Sequence, residues 1–161
     1  MEETKPVETG CCPPFNPGPW QDTEIVWQDK IFIKDHVKCL LHIPLDMGKK
    51  VLKNMALMEK AGAKPQQQLM LTDENSYWGC DIYINVAKDV PDAQMAKITG
   101  KFLTKVFEGP YSHAGKWAKE MQKYVKEKGM NLKKLYFSYT TCPRCAKAYG
   151  KNYVVLFAQV E

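Results

Sequence analysis

Residues 98–129 read ITGKFLTKVFEGPYSHAGKWAKEMQKYVKEKG, and the change of rhythm inside this stretch decides the fold. Up to Gly109 the residues alternate. Phe102, Thr104, Val106 and Glu108 fall on one side of an extended chain and Leu103, Lys105 and Phe107 on the other, the period of a β-strand. From about Ser112 the apolar residues Trp117, Met121 and Tyr124 recur at helical spacing as far as Lys128, and Gly129 ends the run. Lys119, Lys123 and Lys126 lie on the other side of that helix, interleaved with Glu120 and Glu127, a pattern more often found on a solvated face than on a partner-binding one. Two further strands, LYFSYTT from Leu135 and YVVLFAQV from Tyr153, close the chain.

The same order of elements stands earlier in the sequence. VKCLLHI from Val37 alternates like a strand, and Asp46 is placed to cap a helix running to about Ala61, ended by Gly62. Strands near Gln68–Thr72 and Cys80–Val86 follow, with the turn-rich DENSYWG between them as a hairpin. Pro44, Val51, Met55 and Met58 each stand 66 positions before Pro110, Trp117, Met121 and Tyr124, while the two helix-ending glycines differ by 67. Identity between the halves is otherwise low, so the repeat is one of pattern. It predicts an α+β domain over residues 37–161, built from duplicated β-α-β-β halves at 37–90 and 97–161. These would form a mainly antiparallel sheet with the two helices on one face and a ligand groove on the other.

Residues 1–36 are expected to form a proline-rich arm and a short hairpin. CCPPFNPGPW, residues 11–20, holds four of the ten prolines and cannot be a helix or a central strand. Its Phe15 and Trp20 are expected to pin the arm to the core, and IVWQDKIFIKD continues as a short strand or hairpin.

At 161 residues and 45% hydrophobic composition the chain can bury one substantial core. Met1–Gly10 lacks the basic start and apolar stretch of a secretory signal, and no apolar run approaches the roughly 20 residues of a membrane span. The expected location is therefore the cytoplasm, without a membrane partner. The net charge of +5 is nearly all lysine, with Arg144 the single arginine, which argues against nucleic-acid recognition by bidentate contacts.

Alternation assigns candidate faces. Cys80, Ile82, Ile84 and Val86 form an apolar side suited to lie under a helix, leaving Asp81, Tyr83 and Asn85 opposite; in the last strand Val154, Leu156, Ala158 and Val160 leave Tyr153, Val155, Phe157 and Gln159 opposite. A face joining Tyr83, Phe157 and Tyr136 with Asp81 and Glu108 suits an aromatic guest, since rings supply apolar area and oxygens orient it. Tyrosines of this kind also commonly line a half-buried sheet with their hydroxyls in water.

Phe107-Glu108-Gly109-Pro110-Tyr111, running into Ser112-His113-Ala114-Gly115-Lys116-Trp117, resembles the strand-to-helix "GPY" junction of GyrI-like domains. With the doubled order of elements, the resemblance covers Val37–Glu161. It implies a groove between the halves that holds drug-like ligands in regulators, and in stand-alone members hydrolyses electrophilic cyclopropane-containing compounds. Tyr111 matches the motif tyrosine, with Glu108 and Trp117 beside it. Relatives that bind cations often carry a buried glutamate on the final strand, whereas Tyr153-Val154-Val155-Leu156-Phe157 has no carboxylate. No helix-turn-helix segment precedes the domain, which argues against a drug-sensing transcription factor.

Glu108, Asp81 and Tyr111 have the chemistry for acid–base hydrolysis, with Tyr83, Trp117, Phe157 and Tyr136 as the ligand-binding set. There is no GxSxG elbow, and His36, His42 and His113 are scattered and expected to be structural. The main expectation is binding, with hydrolysis, of a hydrophobic electrophile. The alternatives are protective sequestration without turnover and a protein-interaction module like the gyrase-inhibiting relatives.

Cys39 and Cys80 sit on apolar strand sides as core filler. Cys142-Pro143-Arg144-Cys145 resembles half of a zinc knuckle, and the adjacent Cys11 and Cys12 on the arm could complete four sulfur ligands at about 2.3 Å around one structural zinc ion. A redox CxxC and free thiols are the alternatives.

Overall fold

An apolar stripe on each predicted helix has to be buried against a strand surface of matching period, and the two helices of the chain meet that demand in the same way. The computed structural model describes residues 17–40, 43–65, 69–74, 78–140, 150 and 152–161. In chain order the elements are β1 (Thr23–Leu40), β2 (Ile43–Pro44), α1 (Met47–Lys60), β3 (Met70–Asp73), β4 (Gly79–Asn85), β5 (Met95–Glu108), α2 (Ala114–Glu127), β6 (Leu132–Tyr139) and β7 (Tyr153–Val160). This is an α+β chain, largely sheet, with two helices. It divides into two compact units, one of Val26–Lys101 and one of Phe102–Glu161 together with the described residues up to Ile25.

In the first unit β4 pairs antiparallel with β1, placing Val37 opposite Cys80 and Ile33 opposite Ile84. It also pairs antiparallel with β3, placing Thr72 opposite Ile82. Ile33, Val37, Cys80, Ile82 and Ile84 share one core with Met58, against which Val51 and Met55 of α1 pack. Each fully buried Ile or Met in it is worth about 1.5–3 kcal/mol. One polar contact crosses this core. Buried Asn54 on α1 donates from Nδ2 to Asp35 Oδ2 at 2.8 Å, and the Lys50 and Lys53 ammoniums stand 3.8 and 3.9 Å from the same carboxylate. Burial pushes the Asp35 carboxyl up, but the Asn54 hydrogen bond, the His36 backbone N–H and the two lysines outweigh it and hold it below the usual carboxylate value.

Asp46 stands at the N-cap of α1, yet its side chain caps no helix N–H. Its Oδ1 instead accepts from the Lys38 backbone N–H at 2.8 Å, tying the start of the helix to β1. At the other end Gly62 takes φ +64°, and the Ala63 N–H returns to the Met58 carbonyl at 3.0 Å; Gly129 repeats the device after α2 with φ +73°.

The stretch IVWQDKIFIKD does not form a separate hairpin. It runs into VKCLL as a single 18-residue strand, β1. The polar interruption at Gln28-Asp29 looks like a turn in sequence. In the structure Asp29 takes φ 50°, a left-handed conformation aspartate tolerates, and its N–H goes to Thr99 Oγ1 at 2.8 Å, so the strand kinks and continues.

In the second unit β7 lies between β6 and β5, with Tyr136 opposite Phe157 and Phe137 opposite Leu156. Trp117, Met121 and Val125 of α2 pack on Leu103, Phe107, Phe137, Val154, Leu156 and Ala158. Of the two sides of β5, Leu103 and Phe107 therefore meet the helix. A 3₁₀ turn, Tyr111–His113, precedes α2. The strand-to-helix junction is clamped by two bonds: Gly109 N–H donates to the Asn152 carbonyl at 3.1 Å, and Asn152 Nδ2 donates to the Gly109 carbonyl at 2.7 Å.

Candidate binding and catalytic site

Because residues directly opposite one another in an antiparallel pair share a face, the register of the first unit writes out the sheet surface that turns away from α1. One rung is His36, Asp81 and Asp73, on β1, β4 and β3 in turn. The next is Lys34, Tyr83 and Leu71. Beyond it Phe32 stands opposite Asn85, whose Oδ1 accepts the Leu69 N–H at 2.6 Å.

The first of these rungs is the chemical one. His36 Nδ1 lies 3.0 Å from Asp81 Oδ1, with the two side chains 61% and 25% exposed. Asp73 is buried. The imidazole lies against Gly79, where a Cβ would stand 2.5 Å from His36 Nε2. On the second rung Tyr83 is buried, with Phe32 edge-on to its ring at 6.3 Å and the Lys34 ammonium 5.7 Å from its centroid. On the other side of the histidine, Leu45 donates its N–H to the Lys38 carbonyl at 2.8 Å, and Leu40 and Leu45 are exposed. The face thus runs from exposed leucines, through a histidine–carboxylate pair, to a buried tyrosine.

The corresponding face of the second unit is aromatic and closed. Phe102, Thr104 and Phe157 are fully buried, with Tyr136 nearly so. Phe102 and Tyr136 rings lie 6.2 Å apart, and the Lys134 ammonium stands 5.4 Å from the Tyr136 ring. Trp20 covers this surface: its ring meets Phe157 edge-on at 5.5 Å, and its carbonyl accepts from Thr104 Oγ1 at 2.7 Å. The arm residue expected to pin itself to the core does so here.

The residues picked from sequence are distributed between the units. Asp81 and Tyr83 are neighbours on the first unit's face. Tyr136 and Phe157 are cross-strand partners in the second. Glu108 is exposed at the end of β5, and Tyr111 opens the 3₁₀ turn. Trp117 lies on the helix side, buried and stacked on Phe107 with centroids 5.7 Å apart and His113 edge-on at 6.2 Å. Cys11, Cys12, Cys142 and Cys145 lie outside the described residues, as do Phe15 and His42.

Sequence reasoning set His36 aside as structural and did not single out Asp73 or Gly79. The signal for His36 was present: it stands in a strand of strict alternation, and any antiparallel pairing that matches the apolar sides of β1 and β4 brings it to the Asp81 side. Cys39 and Cys80 lie on the helix side as expected, their Sγ atoms 3.8 Å apart. Burial, reinforced by the neighbouring Cys39 thiol, pushes the Cys80 thiol up to about 12, so it stays protonated and inert at neutral pH.

Against known proteins, the sequence matches the family described as bacterial hydrolase over residues 2–160, and the chain belongs to that family. The same fold is seen in a hydrolase from Listeria innocua, with TM-score 0.63 and 14% identity over 88% of this chain and 92% of that one. It is seen also in the EcmrR C-terminal domain, with TM-score 0.62 and 11% identity over 88% of this chain and 98% of that one. A comparison with curated proteins finds no match. Among the described residues no helix is long and apolar enough to cross a membrane.

Proposed function

We propose that this chain is a GyrI-like domain that binds a hydrophobic, electrophilic small molecule in the cytoplasm and hydrolyses it, a detoxifying role. The observation that carries this reading is the alternation on β4, where a partly exposed Asp81 stands two residues from a buried Tyr83. An apolar ring surface and a carboxylate able to act on water are held side by side on a rigid strand. The family described as bacterial hydrolase and the hydrolase from Listeria innocua with this fold support the reaction class. A strained, conjugated cyclopropane is the proposed substrate type, since its ring opens by simple addition of water. In this reading Asp81 of the first unit and Glu108 and Tyr111 of the second are the catalytic candidates, and Tyr83 supplies aromatic surface; Tyr136 and Phe157 would do so only with Trp20 displaced. Trp117 acts from beneath, holding Phe107 and through it the end of β5 that carries Glu108.

The alternative reading is sequestration without turnover. A spirocyclopropyl dienone decides between them. Loss of its absorbance in the presence of the protein, abolished in Asp81→Asn or Glu108→Gln with thermal-shift binding retained, supports hydrolysis. Saturable binding with no turnover selects sequestration. Co-purification of one protein partner selects an interaction module instead. Zinc held by Cys11, Cys12, Cys142 and Cys145 belongs to the same proposal. It is tested by metal analysis of protein purified without chelators: stoichiometric zinc, lost in Cys142→Ser, supports it, and zinc-free protein removes it.

A further inference from the structure

Resting on the hydrolytic reading, we propose that His36 is the base that takes the proton from the attacking water and that Asp81 is the residue that positions it. Across the 3.0 Å contact His36 Nδ1–H donates to Asp81 Oδ1, which holds the proton on Nδ1, fixes the tautomer and leaves Nε2 as the acceptor. Among the described residues only Nδ1 of the two ring nitrogens is engaged.

Three features separate this pair from a chance surface contact, which would contribute about 0–1 kcal/mol and nothing else. Gly79 makes room for the ring: any side chain there would collide with Nε2 and Cε1. The buried Asp73 stands opposite Asp81 on the same rung, so a second carboxylate lies one strand beyond the pair. The ring also stands between exposed Leu40 and Leu45 on one side and Tyr83 on the other, so a hydrophobic guest lying along this face would pass over Nε2. The remaining charged groups on this side of β1, from Lys30 on, are Lys30, Lys34 and Lys38.

The step balances without a further reactant. A water O–H bond breaks and its proton passes to Nε2 while the oxygen bonds to a cyclopropane carbon. The strained C–C bond breaks, and its electron pair moves into the dienone, which becomes a phenolate. Solvent protonates the phenolate, and the imidazolium returns its proton to solvent.

The test measures kcat and KM for a spirocyclopropyl cyclohexadienone on the full chain, with circular dichroism confirming that each variant is folded. His36→Gln is expected to lower kcat about 10²–10⁴-fold with KM little changed. Asp81→Asn should lower kcat in the same direction, and added imidazole should restore part of the lost rate to His36→Ala, a recovery no structural role would give. Turnover by His36→Gln within about threefold of the parent chain, or no recovery with imidazole, overturns the assignment. If the parent chain turns the probe over and the variants match it, His36 alone is dismissed. If the parent chain binds the probe, seen by tryptophan fluorescence, and never opens it, the hydrolytic reading fails and takes this inference with it.

Discussion

The two units repeat strand, helix, strand, strand and carry different surfaces. In the first, the sheet side away from its helix exposes a histidine beside a carboxylate, flanked by leucines. In the second, the matching side is filled by Phe102, Tyr136 and Phe157 and roofed by Trp20. The helix sides, by contrast, are alike: both bury an apolar stripe against two or three strands. Covering a helix has few solutions, so both units show the same one, while the opposite face is free to diverge and there chemistry and packing part company.

That contrast can be broken at several points. The largest effect is expected at the helix side of the second unit, where Trp117→Ala should cost about 3–5 kcal/mol in urea unfolding, as a core truncation does. A small stability loss with a large binding loss would instead return Trp117 to the ligand-binding set. Next comes Asp35, on the helix side of the first unit. Asp35→Ala leaves the Nδ2 of buried Asn54 with the Lys50 carbonyl but without its carboxylate acceptor, and should cost about 1–3 kcal/mol at neutral pH. Because the Asp35 carboxyl is held below its ordinary value of 3.8, its contribution is complete above that value and disappears as pH falls through the lower folded one. The stability gap between parent and variant should therefore narrow on acidification, as denaturant melts at a series of pH values would show. A gap that widened would contradict the assignment.

At the His36 end of the first unit's face, Gly79→Ala should force the His36 ring aside and crowd the Val37 carbonyl at 3.3 Å, so hydrolysis falls at a stability cost of about 0.5–1 kcal/mol and without unfolding. The smallest effect is chemical silence. With its thiol at about 12, Cys80 should resist iodoacetamide in the native chain and react once urea exposes it, as mass spectrometry of the labelled peptide will report.

Much of this was legible in the residues. The switch from period two to helical spacing around Gly109, the glycine stops at Gly62 and Gly129, and the inward side of Cys80, Ile82 and Ile84 are local patterns and needed no tertiary information. The long β1 was not legible, because a polar Gln28-Asp29 pair reads the same whether the chain turns or kinks. Nor was the His36–Asp81 pair, since its two members are 45 residues apart and only strand register brings them together. Trp117 shows the opposite case. Its spacing with Met121 and Tyr124 already placed it on the helix's apolar stripe, and the resemblance to a known junction drew it toward the ligand.

Asp46 has a mechanical consequence. Its carboxylate holds the Lys38 amide while its carbonyl accepts the Lys50 amide, so one residue is bolted at once to the strand and to the first turn of α1. His36 sits two positions back along that same strand. A push on the helix tip is thereby delivered, through a single side chain, to the neighbourhood of the imidazole, and a shear of α1 that left this strand end behind would first have to break that joint.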